Sequence, residues 1–154
     1  MYPTLGLKIL IKMRISIILI VLSLYTFKYA HAQQDVIGKW KTIDDTTGKA
    51  KSIVMIYEQD NKIYGKIDKI LNESHRNNLC NECTGDDYNR PIEGLIIIKG
   101  LKKDDNEYED GTITDPENGK VYRCKIWVDE DDPTILNVRG YISFLFRTQQ
   151  WVKE

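Results

Sequence analysis

The three cysteines are the residues whose spacing comes closest to a chemical motif. Cys80 and Cys83 form a C-x-x-C pair, a spacing that occurs in redox centres, zinc sites and short disulfides. A redox pair normally opens a helix beside a βαβ pattern, but this pair lies in a polar stretch with no helical period. Thr84 follows it, where covalent haem attachment requires a histidine. The pair therefore favours a local disulfide, with zinc binding or free redox-active thiols as alternatives.

Zinc binding would need more ligands than the pair supplies. His75, in the same stretch, and Cys124 are the candidates, because thiolates and imidazole suit a tetrahedral ion. Cys124, however, lies on a predicted strand at a position that faces a core, where a cysteine is usually a small buried hydrophobe. We therefore expect a Cys80–Cys83 disulfide and neither a metal site nor a cofactor.

Groups suited to acid–base catalysis are sparse. His75 is the single histidine after residue 32, and its neighbour Ser74 cannot act as its nucleophile because adjacent side chains diverge on an extended backbone. Asp110 and Asp115 could pair as carboxylates, but capping of a turn explains Asp115 more simply. The acidic clusters do not have the spacing of an EF-hand calcium loop. These clusters are Asp86-Asp87, Asp104-Asp105 and Asp129 to Asp132. We expect no catalytic residues.

The N-terminal segment has the features of a secretory signal peptide. It begins with the basic residues Lys8, Lys12 and Arg14, which are followed by an apolar run over residues 15–27. Ala30-His31-Ala32 then forms an A-x-A cleavage site. The run is shorter than the roughly 20 residues that a spanning helix needs. We predict a signal peptide over 1–32, one domain over 33–154 in the periplasm or outside the cell, and no membrane span after cleavage. Met13 is an alternative start to Met1.

Charge constrains the partners. The chain has 22 Lys+Arg and 23 Asp+Glu, and residues 1–32 carry four of the basic residues and no acidic one, so the remainder has a net charge of −5. A mildly acidic protein is a poor partner for nucleic acid or an anionic membrane. We expect neither as a partner. An exported location also favours oxidation of the C-x-x-C pair.

Glu109 to Val128 predicts a β-hairpin. Residues 115–119 form its turn: Pro116 fixes a suitable φ, Gly119 supplies a positive φ, and Asp115 can cap the turn through its carboxylate. The strand after the turn alternates strictly, as in an antiparallel strand with one side on a core. The residues expected to face the core are Tyr122, Cys124, Ile126 and Val128.

About eight strands joined by short turns follow from the same alternation. They cover residues 36–41, 52–58, 62–71 and 94–102, the two strands of the hairpin, and residues 134–141 and 144–152. Gly100 is a candidate bulge, and Asn72 to Glu93 is a long aperiodic loop of the kind that is usually functional or mobile. Such strands favour an all-β fold, an antiparallel up-and-down barrel whose interior is filled or holds one small ligand. A two-sheet sandwich is the alternative.

Several segments carry a family resemblance. They are Gly38-Lys39-Trp40, the stretch from Gly111 to Lys120 with Tyr122 and Cys124, Arg139-Gly140-Tyr141, Arg147-Thr148-Gln149, and Trp151. In these segments the chain resembles the domain-of-unknown-function family numbered 2147, small exported bacterial proteins. The resemblance covers nearly the whole of residues 33–154, and its most specific part is the DPENGK turn. The resemblance supports the predicted export and the predicted fold, and it implies no activity.

A looser similarity is to lipocalin-like barrels, in which a G-x-W on the first strand packs against a basic residue near the last. The matching residues here would be Gly38, Trp40 and Arg147, with the guanidinium stacked on the indole. Aromatic residues occur on nearly every predicted strand and could fill a barrel or line a pocket. The residues expected to bind a ligand are Trp40, Tyr122 and Arg147.

Three functions remain. The first is a non-enzymatic exported barrel that binds a small hydrophobic ligand at a mouth guarded by the 72–93 loop. The second is an envelope adaptor with a filled barrel, whose protein partner the sequence does not indicate. The least favoured is a metal-dependent enzyme acting at that loop.

Overall fold

Eight antiparallel strands close into a barrel in strict chain order, which confirms the predicted up-and-down barrel and excludes the two-sheet sandwich. The structure, a computed structural model, describes residues 35–154. The strands are β1 (Gly38–Ile43), β2 (Ala50–Gln59), β3 (Lys62–Ile70), β4 (Ile96–Asp104), β5 (Glu107–Thr114), β6 (Val121–Val128), β7 (Ile135–Ile142) and β8 (Leu145–Lys153). The predicted signal peptide and the alternative start at Met13 lie outside the described residues.

Tight turns set the register of the hairpins. Asp60 and Asn61, both at positive φ (51° and 57°), join β2 to β3, as two-residue hairpin turns require. In the predicted turn after β5, Asp115 caps through Oδ1, which accepts from the Glu117 amide at 2.9 Å, and Gly119 has φ 68°. The bulge predicted at Gly100 is present: between the pairs Gly65–Ile98 and Ile63–Leu101, two residues of β4 lie opposite one residue of β3.

The connections fall into two groups because successive strands run in opposite directions. Those after β1, β3, β5 and β7 (residues 44–49, 71–95, 115–120 and 143–144) lie at one end, called the upper end here. Those after β2, β4 and β6 lie at the lower end, together with residues 35–37 and Glu154. Within residues 35–154 there is no helix long and apolar enough to cross a membrane.

Inward-facing apolar side chains form a buried cluster inside the barrel. The largest fully buried ones are Trp40, Trp151, Ile56, Ile63, Ile98, Leu101, Ile126 and Leu136, all in one apolar cluster. Packing is tight, since a Cβ placed on Gly65 would lie 3.1 Å from the Ile98 side chain. Trp40 Nε1 donates to the Val36 carbonyl at 2.8 Å, whereas Trp151 Nε1 is the one buried side-chain nitrogen or oxygen in residues 35–154 without a hydrogen-bond partner.

The barrel closes unevenly. β7 and β8 pair over eight residues, from Ile135 with Val152 to Ile142 with Leu145. β1 and β8 pair over only two, Trp40 with Lys153 and Lys41 with Val152, both toward the lower end. Above these pairs the β1–β8 junction, called the seam here, is held by side chains instead of a backbone ladder.

Candidate functional site

The C-x-x-C pair is a disulfide, as predicted. Cys80 and Cys83 are bonded to each other and both are buried, so neither sulfur is free to ligate zinc or act as a thiol. The backbone of Cys80 is fixed by two hydrogen bonds, its amide to the Arg90 carbonyl at 2.8 Å and its carbonyl from the Asn89 amide at 3.0 Å. The disulfide therefore belongs to an ordered part of the loop.

The 72–93 loop is more regular than its sequence indicates. It contains two short 3-10 turns, Glu73–His75 and Gly85–Asp87, and an isolated bridge between Leu79 and Pro91. Asp87 forms an ion pair with Lys99 of β4. The predicted long loop is thus confirmed, and its middle section folds back on itself and attaches to the barrel.

The disulfide end of the loop packs on the turn between β5 and β6. Cys80 Sγ lies 3.5 Å from the Pro116 carbonyl oxygen. A Cβ added at Gly119 would overlap the Glu82 carbonyl, so the two backbones approach as closely as glycine allows. The C-x-x-C motif and the DPENGK turn, separate in sequence, form one contact at the upper end.

The predicted stack of Arg147 on Trp40 was wrong. Lys153 occupies that place, with Nζ 5.6 Å from the centre of the Trp40 ring. The reason is register, since Lys153 pairs with Trp40 while Arg147 pairs with Gly140, six residues away toward the upper end. Arg147 is exposed and forms an ion pair with Asp45. Trp40 is completely buried and has no surface for a ligand.

The three predicted ligand residues are only partly brought together. Tyr122 pairs with Ile113 across β5 and β6, and a Cβ on Gly140 would lie 3.5 Å from its side chain. Gly140 is also the partner of Arg147, so Tyr122 and Arg147 flank one glycine near the upper end. Trp40 is not part of this group.

A groove of about 480 Å³ runs along the seam. Its lining residues are Ile43, Asp45, Ile135, Asn137, Thr148, Gln149, Gln150 and Val152. Three of these are aliphatic, three carry side-chain amides, one a hydroxyl and one a carboxylate. The 72–93 loop contributes none of them, so this groove is not the guarded mouth that the sequence suggested.

Side chains bridge the seam where the backbone ladder stops. Asp45, in the turn after β1, accepts from Gln149 Nε2 at 2.9 Å and pairs with Arg147 of β8. Beside the seam, within the β7–β8 pair, Gln150 Nε2 donates to Asn137 Oδ1 at 3.4 Å. Asn137 Nδ2 in turn donates to Asp129 at 3.1 Å, and this bond lowers the pKa of the Asp129 carboxyl. These hydrogen bonds hold the side-chain amides that line the groove in fixed positions.

Residues suited to catalysis are dispersed. Asp110 lies in a strand irregularity at φ 61°, near Lys102 at 3.7 Å, while Asp115 caps its turn. Burial raises the pKa of the Cys124 thiol to about 12, so this cysteine is a core residue, as expected. Within residues 35–154 no three His, Cys, Asp or Glu side chains converge as metal ligands.

The geometry defines a lipocalin-like β-barrel. Among solved structures, one similar chain is protein HP1028 from the human pathogen Helicobacter pylori, which is described as belonging to the lipocalin family. The likeness has a TM-score of 0.67 at 18% identity and covers 78% of this chain and 83% of that one, which shows the fold alone. No curated protein matches the chain.

The chain belongs to the DUF2147 family, described as an uncharacterized protein conserved in bacteria, whose sequence profile matches residues 38–153. Both resemblances inferred from the sequence are thereby confirmed. The match begins and ends with the barrel, at β1 and at the last residue of β8.

Proposed function

We propose that this protein is a non-enzymatic, exported binding protein that holds a small amphipathic ligand in the groove along the β1–β8 seam. The observation that carries the proposal is the contrast between a filled interior and an open seam. Trp40 and Trp151 occupy the barrel, whereas about 480 Å³ is accessible where β1 and β8 separate.

The lining of the groove indicates the class of ligand. Ile43, Ile135 and Val152 offer an aliphatic surface, while Asn137 and the polar side chains of β8 present amide and hydroxyl groups. Small-molecule sites commonly combine an apolar lining with a few placed polar groups. A molecule with a short alkyl part and a polyol or amide part matches both halves.

Export is supported by two observations. The sequence before β1 has the pattern of a signal peptide, and the described domain contains a disulfide, which is rare in reducing compartments. We place the protein in the periplasm or outside the cell.

Native mass spectrometry of protein purified from its own host tests the proposal. The wild type should retain a bound small molecule. Gln150→Trp, which fills the groove from an exposed position, should lose it. Gln59→Trp makes the same change at an exposed position at the end of β2 and should retain it. Retention by both variants, or absence of any adduct from the wild type, contradicts the proposal.

An NMR titration locates the site with a defined probe. Monomeric octyl glucoside, which has an alkyl chain and a sugar head, should shift the amide signals of Asn137, Thr148 and Gln150. In Gln150→Trp its affinity should fall about tenfold or more, a loss of roughly 1.4 kcal/mol. Shifts centred on interior residues such as Cys124 and Ile126 would instead place the ligand inside the barrel.

The second function, an envelope adaptor, is favoured by the filled interior alone. In that case Gln150→Trp would have no effect on any small molecule, and chemical cross-linking in cells would join the protein to a defined envelope protein.

A further inference from the structure

The turn between β7 and β8 carries an exposed apolar cluster, called the β7–β8 tip here. Phe144 is 86% exposed, Leu145 and Phe146 are each 62% exposed, and Ile142 is 53% exposed. Val121, at the neighbouring end of β6, is 57% exposed. Ile142 pairs with Leu145 as the last pair of the hairpin, so the cluster lies at the upper end. Strand alternation places Ile142 and Leu145 on the inward face and Phe146 and Val121 on the outward face.

Hairpin formation does not require these residues. Ser143 supplies a positive φ of 53° at the turn, and polar side chains beside it would satisfy the same geometry. Contiguous apolar side chains on a surface usually mark a contact with a membrane or a protein. The tip is therefore a candidate contact site, and its side chains remain exposed among the described residues.

The charge around the tip indicates which occupant. Residues 118–128 and 133–153, which contain β6, β7 and β8, hold six basic residues and no Asp or Glu, although residues 33–154 have a net charge of −5. Two of the six, Lys125 and Arg147, are paired with carboxylates outside these ranges. The charge that a partner could use therefore comes from the remaining basic residues.

Three of these basic residues lie next to the tip. The Arg139 guanidinium is 4.5 Å from the centre of the Phe146 ring, Arg123 lies 5.7 Å from the centre of the Tyr141 ring, and Lys120 directly precedes Val121. Among the described residues, none of the three forms an ion pair with a carboxylate. Their charge is available to an external anionic surface.

We propose that the β7–β8 tip inserts into the interface of an anionic phospholipid bilayer, with Lys120, Arg123 and Arg139 contacting the lipid phosphates. Aromatic side chains prefer the headgroup level, and basic residues beside them add electrostatic attraction to anionic lipid. A protruding two-residue turn suits insertion between lipids, whereas a stable protein interface buries about 800 Å² per partner on a broader surface. The inference is independent of the groove and revises the expectation drawn from net charge.

Vesicle sedimentation tests the inference. The exported protein should bind vesicles of equal parts phosphatidylcholine and phosphatidylglycerol at low salt, and bind vesicles of phosphatidylcholine alone much less. The double variant Phe144→Ser, Leu145→Ser should partition about tenfold or more weakly, since it removes the two outermost apolar groups. Tyr88→Ser, which alters another side chain that is 62% exposed, should bind like the wild type.

The charge component has its own variant. Lys120→Gln with Arg123→Gln should weaken binding to the anionic vesicles about 30-fold, at roughly 1 kcal/mol per basic residue, and reduce its salt dependence. Circular dichroism should show that all variants fold. Because the variants share their N-terminal residues with the wild type, the differences report on the tip.

Three results would overturn the inference. They are equal binding to both kinds of vesicle, no effect of the double variant on binding, and absence of vesicle binding at low salt. In the last case, concentration-dependent dimerisation that the double variant abolishes would assign the tip to a contact between copies.

Discussion

Two glycines in upper-end turns have the same backbone conformation but different surroundings. Gly48 has φ 67° and nothing within 4 Å of an added Cβ, whereas Gly119 has φ 68° and faces the backbone of Glu82 and Cys83. Substitution by alanine should cost about 1–2 kcal/mol at either position because of the left-handed conformation. Gly119→Ala should cost about 2 kcal/mol more, since the loop must move away from the turn.

Urea denaturation measures the free energy of unfolding of both glycine variants and of the wild type. Gly48→Ala is the matched control for backbone strain. Equal losses of stability in the two variants would show that the loop does not rest against the turn in solution.

Asp44 links one turn to the pH dependence of stability. Hydrogen bonds from Thr47, first its hydroxyl and then its amide, lower the pKa of the Asp44 carboxyl from its ordinary value of 3.8. A carboxyl whose folded pKa is depressed stabilises the fold above its unfolded pKa, and this contribution is lost as pH falls through the folded pKa. The stability of the wild type should therefore decrease on acidification below about pH 4.

Asp44→Ala should be less stable than the wild type at neutral pH and should lose less stability on acidification. Asp104→Ala, at an exposed end of β4, is the control and should follow the wild-type profile. The urea midpoint measured as a function of pH gives each profile. Parallel profiles for Asp44→Ala and the wild type would contradict the role of Asp44 in the acid dependence of stability.

At the scale of single residues, sequence pattern predicted local roles well and distant pairings poorly. The capping by Asp115 and the burial of Cys124 follow from a turn and an alternation within a few residues. The partner of Trp40 depends on how β8 is placed against β1, more than 100 residues away in the chain. Arg147 and Lys153 are both basic residues near the end of the chain, so the sequence does not show which of them lies beside Trp40. Only the register of β8 against β1 decides it.

Among the elements, the disulfide-bonded loop makes a specific prediction. Cys80→Ser with Cys83→Ser should reduce stability by about 2 kcal/mol, because the closed loop is short. The local effect should be larger: the amides of Cys80 and Asn89, which are hydrogen-bonded within the loop, should exchange faster with solvent. Amides in β6 and β7 serve as the internal control and should keep their protection.

Hydrogen exchange followed by mass spectrometry or NMR detects this difference. Loss of protection throughout the barrel would mean that the disulfide supports the whole fold. Unchanged exchange at Cys80 and Asn89 would mean that the loop is held in place without it.

The strands could be predicted from sequence because alternation with a period of two residues is a local signal. The fold of the 72–93 loop could not, because its order comes from contacts such as Asp87 with Lys99 and Glu82 with Gly119. Likewise, Asn137, Thr148 and Gln150 carry no pattern that marks a groove. They line one because the ladder between β1 and β8 ends at Lys41 and Val152.

For the whole molecule, the proposed ligand site follows from the buried apolar cluster inside the barrel and the groove at the seam. An eight-stranded barrel has room for side chains or for one small ligand, and here Trp40 and Trp151 take that room. At the seam, side chains of β8 line the groove. The proposed binding groove and the β7–β8 tip consequently both involve the last strand.

Hydrogen exchange at the seam tests this account most directly. The Lys153 amide donates to the Thr134 carbonyl and the Glu154 amide to the Lys39 carbonyl, so amides of odd-numbered residues in β8 point to β7 and those of even-numbered residues to β1. In the ligand-free protein, Thr148 and Gln150 should exchange rapidly while Gln149 and Trp151 stay protected. Equal, strong protection of all four amides would show that β1 and β8 pair along their whole length and that no groove exists there.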